Sequence, residues 1–92
     1  MPKFEHMKDG SVWFYCPGCE CHHRVDATRW KITGAGDRIT IYPSIRNDFG
    51  DGRICHMYVI SGQLKYLNDC WHKLAGQTIN PVEADITHGD ES

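Results

Sequence analysis

Five Cys and six His stand in this 92-residue chain, and their spacing is its clearest chemical signal. Cys16-Pro17-Gly18-Cys19 sets two thiols across a Pro-Gly turn, which points both sulfurs at one ion. A pair of this kind takes zinc or works as a redox couple. The redox reading needs the motif between a strand and a long helix. Here it stands between two strand-like runs, so Zn2+ is the expected cofactor. Two more ligands must come from Cys21, His22, His23, Cys55, His56, Cys70 and His72. The favoured set is Cys16, Cys19, Cys55 and Cys70, with His23 or His72 able to replace Cys70. His56, Asp69 and His72 are then surplus near the site. They would orient or support ligands, or serve an open zinc site with a water and a general base. No residue is assigned a catalytic role from the sequence.

These side chains must be positioned by a thin scaffold. Residues 11–15 are aromatic and β-branched and predict a strand, with 21–26 as its returning partner. Residues 29–33 and 38–42 alternate about a Gly-rich turn and predict a hairpin. Residues 43–52 hold Pro43, Asn47, Asp48, Gly50 and Gly52, and predict a loop. Residues 54–60 and 63–67 flank Ser61-Gly62, a two-residue hairpin signal. If that turn forms, Ile60 pairs with Gln63, and Cys55, Met57, Val59, Leu64 and Tyr66 share the core face, with His56 on the other. Asp69 as N-cap and Gly76 as stop predict one short helix over about residues 70–75. The fold expected is β-rich α+β, a small zinc-ribbon-like antiparallel sheet with β-hairpins. One zinc-stabilised domain spans 1–82, and 83–92 is an acidic tail.

Composition narrows the function. A chain this short buries roughly 60% of its unfolded surface and gains from a metal staple. No apolar run reaches the roughly 18 residues of a membrane span, and the polar start lacks a signal-peptide pattern. The expected compartment is the cytoplasm. The formal charge of −2 excludes a strongly basic nucleic-acid binder.

Several motifs carry a resemblance: Cys16-Pro17-Gly18-Cys19 with His23, Pro43-Ser44-Ile45, Cys55-His56, Gly62-Gln63-Leu64, and Asp69-Cys70 through His72 to Thr78. Together they resemble a family of small tailed-phage and prophage zinc-binding proteins, over roughly residues 12–82. Members sometimes carry an "ammonia monooxygenase" label, although a chain with no membrane segment cannot resemble that membrane complex. The resemblance implies a phage origin, a host-cell cytoplasmic location and a metal-binding β-rich domain. It adds weight to Cys16, Cys19, His23, Cys55, His56, Cys70 and His72.

The leading expectation is a phage accessory binding module acting on a host or phage protein, in counter-defence or host takeover. One alternative is a zinc ribbon that binds single-stranded nucleic acid through Arg24, Arg29, Lys31, Arg38, Arg46 and Arg53. A zinc-dependent hydrolase using Asp69, His56 or His72 is the other. A homodimer is compatible with the first.

Overall fold

The computed structural model describes residues 3–81. Eight strands follow in order: β1 (Glu5–His6), β2 (Val12–Cys16), β3 (Cys21–Val25), β4 (Lys31–Thr33), β5 (Thr40–Asp48), β6 (Ile54–Ile60), β7 (Gln63–Tyr66) and β8 (Thr78–Ile79). A single 3-10 turn, Gly36–Arg38, precedes β5. The strands form two antiparallel sheets, β1-β2-β3 and β4-β5-β6-β7-β8. The fold is therefore β-rich, as expected, but it is built from two sheets rather than one ribbon-like sheet.

One core joins the sheets. Phe4, Val12, Phe14 and Val25 meet Ile41, Ile45, Met57, Val59, Leu64 and Tyr66, all buried. Strand β6 shows how the sequence sets this up. Its burial alternates, so Cys55, Met57 and Val59 face inward and His56 and Tyr58 face out. The Ser61-Gly62 hairpin fixes the register of β7, with Ile60 opposite Gln63 and Met57 opposite Tyr66. Gly62 has φ 82° and its N–H donates to Ile39 O at 2.8 Å. A Cβ there would collide with the Asp37 carbonyl, so only Gly fits.

Two expected elements come out differently. Residues 43–48 are not loop: β5 runs through them to Asp48. Ile41 pairs with Val59 and Ile45 with Met57, so β5 spends four steps where β6 spends two. This bulge absorbs the cis Tyr42–Pro43 bond and lets the strand resume with Ile45 buried. The helix over 70–75 is a run of turns closed by i→i+3 bonds such as Ala75 N to His72 O at 3.2 Å. Six residues give too few hydrogen bonds to offset helix nucleation, and the Asp69 carboxylate meant to cap them is bonded elsewhere. The acidic tail 83–92 lies outside the described residues. Among the described residues, no helix is long and apolar enough to cross a membrane.

Candidate active site and cysteine cluster

The outer face of the five-stranded sheet carries three polar side chains in series. His56 stands opposite Arg46 on β5, and Ser44 lies two residues from Arg46 on the same face. That diagonal brings Ser44 Oγ to 2.9 Å from His56 Nε2. The other ring nitrogen, His56 Nδ1, lies 2.9 Å from Asp69 Oδ2 and 3.2 Å from Oδ1. The carboxylate can only accept, so Nδ1 carries the proton and Nε2 is left to accept from the Ser44 hydroxyl. This is the hydrogen-bond order of a nucleophile, a base and an orienting acid. The hydrogen bond from His56 holds the Asp69 carboxyl below the ordinary carboxylate range, with Arg46 adding to the effect. Side-chain exposure is 21% for His56 and 56% for Asp69, so the series opens to solvent.

The chain after β7 delivers Asp69. Leu67 N donates to His56 O at 2.9 Å. The Cys70 sulfur accepts from His56 N at 3.2 Å and its S–H donates to His56 O at 2.9 Å. Burial pushes the Cys70 thiol up, which keeps that donor proton in place. Leu67 and Cys70 thus grip the His56 main chain from both sides of Asp69. On β5, the Ser44 carbonyl accepts from the Trp30 indole N–H at 3.3 Å.

The inner side of β6 faces a cysteine cluster. Cys16, Cys19, His23 and Cys55 each offer a donor atom within 4.8 Å of the others and could hold a metal ion. The β2–β3 hairpin supplies the first three, with Cys16 opposite Cys21 and Cys19 N donating to Cys16 Sγ at 3.4 Å. Cys16 Sγ lies 3.9 Å from Cys55 Sγ and 2.9 Å from Tyr66 Oη. Hydrogen bonding from Cys55 outweighs burial and pulls Cys16 down to about 3. Burial, then the Cys16 charge, pushes Cys19 up to about 12. Cys55 is pushed up chiefly by its hydrogen bond to Cys16. A divalent cation among the three sulfurs would favour the ionised form of each. His23 Nε2 is buried without a hydrogen-bond partner, while Nδ1 meets the Asn47 side-chain amide at 3.2 Å. An orphaned buried nitrogen beside three thiols fits a metal donor set.

Of the expected ligands, Cys16, Cys19, His23 and Cys55 come together. Cys70 does not join them. It groups instead with Cys55 and His72, and its thiol is turned onto the His56 main chain. His72 Nε2 lies 3.5 Å from Cys55 Sγ, and its ring packs edge-on against Tyr66. Gly18 is required for this packing, because a Cβ would strike the His72 ring. His56 and Asp69 belong to neither group; on the outer face His56 bonds to Asp69 through one ring nitrogen and to Ser44 through the other. Ser44 stands in the sequence only within the Pro43-Ser44-Ile45 motif, with no chemistry assigned to it. Its signal would have been the shared outer face with His56, visible only if β5 is carried through Pro43.

No curated protein and no solved structure matches the chain. Residues 3–67 match the family described as "Bacterial ubiquitination-like system serine protease (BubE)". The matched span includes Ser44 and His56 and stops just before Asp69. With most of its length covered by that match, the chain belongs to the BubE family of bacterial ubiquitination-like system serine proteases.

Proposed function

We propose that this protein is a serine protease of a bacterial ubiquitination-like system, with Ser44 as nucleophile, His56 as general base and Asp69 as the group that orients and charge-balances His56. The observation that carries the reading is the unbroken series from Ser44 Oγ to His56 Nε2 and from His56 Nδ1 to Asp69. Ser44 Oγ attacks the substrate carbonyl carbon while Nε2 takes its proton. The imidazolium formed is stabilised by Asp69 and returns the proton to the leaving amine as the C–N bond breaks. Water then repeats the sequence on the acyl-enzyme, releasing acid and free Ser44. General-base help of this kind contributes roughly 10²–10⁴-fold.

Cys16, Cys19, His23 and Cys55 would hold zinc as a structural ion. Three thiolates and an imidazole fill a tetrahedral shell, and bound zinc supplies cross-linking of the two sheets rather than a reaction step. Because Cys55 precedes His56 on β6, that cross-link also holds the strand bearing the base. A zinc-dependent hydrolase built on His56 and Asp69 is not supported, since both nitrogens of His56 are engaged, by Ser44 and by Asp69, and neither residue joins a ligand group. The reading needs neither a phage or host protein partner nor single-stranded nucleic acid.

A fluorophosphonate probe tests it. The expected result is one covalent label on Ser44, absent in Ser44→Ala and strongly slowed in His56→Ala. A label elsewhere, or none, contradicts it.

A further inference from the structure

The strand that carries Ser44 has one edge already in use and one edge open. Antiparallel strands direct the N–H and C=O of one residue to the same side, alternating along the chain. The N–H and C=O of His56 bond to Cys70 and Leu67, away from β5. Its cross-strand partner Arg46 must therefore point its own N–H and C=O away from β6. The same parity sends the main-chain groups of Ser44 and Asp48 to that outer edge. The Trp30 indole bound to Ser44 O confirms the direction at the Ser44 end. Strand β4 covers this edge only as far as Tyr42, opposite Lys31. Beyond it, no described strand pairs with β5 on this side, and no turn or loop bond among the described residues reaches the main chain of Arg46.

We propose that the substrate docks as an extended polypeptide segment on the open edge of β5, adding a strand alongside Arg46 and Asp48 whose end reaches Ser44. The inference rests on the serine-protease reading of Ser44. The occupant follows from that continuity, because the nucleophile lies on the docking strand itself. His56 approaches Oγ from the β6 side, so the opposite side of Oγ faces the edge where the new strand would lie. Base and electrophile then flank the nucleophile. Four strand steps from Ser44 to Asp48 cover about 13 Å, enough for about four substrate residues. Trp30 closes the edge at Ser44, so the segment extends towards Asp48. Main-chain pairing of this kind selects an unfolded, extended stretch over a folded surface.

The test uses the full chain and two probes: a plain alkyl fluorophosphonate and a tetraalanyl diphenyl phosphonate. The peptidyl probe is also made with single N-methyl groups at successive amides. N-methylation of amides facing β5 is expected to slow Ser44 inactivation by roughly tenfold, the effect of one lost hydrogen bond. Methylation at the alternate amides changes it less than about twofold. Amide exchange at Arg46 slows in the peptidyl adduct and not in the plain adduct. If the plain probe labels Ser44 but the peptidyl series shows neither alternation nor protection at Arg46, the docking edge is wrong and the triad stands. If the plain probe leaves Ser44 unlabelled, both fall.

Discussion

Replacing Cys70 separates two roles that sequence spacing alone cannot tell apart. As a clamp, its sulfur holds both main-chain groups of His56; as a ligand, it would hold metal with Cys55 and His72. Cys70→Ala strips the partly buried His56 N–H of its acceptor, whereas His56 O keeps Leu67 N. An unsatisfied donor costs about 1–3 kcal/mol, and a thiol is a weak partner, so about 1–2 kcal/mol is expected. For a domain of this size that lowers Tm by roughly 10 °C. The His56 ring is fixed at both nitrogens by neighbours that do not move with its main chain, so a small shift breaks alignment. Misplacement near 1 Å costs about 100-fold in rate. Fluorophosphonate labelling of Ser44 should slow by about 10–100-fold, measured well below Tm, with circular dichroism following unfolding. Cys70→Ser keeps a donor and an acceptor and should restore most of both. An Ala variant with native Tm and labelling rate would refute the clamp. So would a Ser variant as damaged as Ala that had also lost bound metal.

Further outcomes follow from the same contacts. Asp69 has its folded pKa lowered by His56, so it adds stability above the unfolded carboxylate pKa and loses it as pH falls through the folded value. Urea unfolding at stepped pH should show a steeper acid limb for wild type than for Asp69→Asn, and superimposable limbs would contradict this. Cys16→Ser should abolish metal binding by elemental analysis and destabilise the fold, since Cys16 touches Cys55, Cys19 and Tyr66; full metal content in that variant would remove it from the ligand set. Leu64 is fully buried between the sheets, so Leu64→Ala should cost about 2–5 kcal/mol in denaturant unfolding, and a cost below about 1 kcal/mol would misplace it.

What could be read in advance was local. The Ser61-Gly62 turn set the β6–β7 register, and alternation then placed Cys55, Met57, Val59, Leu64 and Tyr66 inward, where they lie. The Cys16–Cys19 knuckle and its return strand also followed from nearest neighbours. The Ser44–His56–Asp69 series was hidden because it is assembled from three elements by non-local pairing. Pro43, Asn47 and Asp48 carry loop propensities, and only the bulged pairing with β6 makes their segment a strand. Once it is a strand, Ser44 and His56 share a face. Asp69 misled in the opposite way. Its position before an apolar run signals an N-cap, yet the stronger partner is an imidazole N–H brought beside it by the β6–β7 hairpin. The surplus of His and Asp around the cysteines was visible, and alternation already set His56 on the face opposite Cys55; that Asp69 and Ser44 would meet it there was not.

Acyl transfer to Ser44 is the central claim, and p-nitrophenyl acetate tests it most directly. Rapid mixing should release a burst of p-nitrophenolate equal to the enzyme present, with the acetyl group mapped by mass spectrometry to Ser44 and no burst from Ser44→Ala. Absence of a burst in the metal-loaded wild type, or an acetyl group on a cysteine or lysine in place of Ser44, would contradict it.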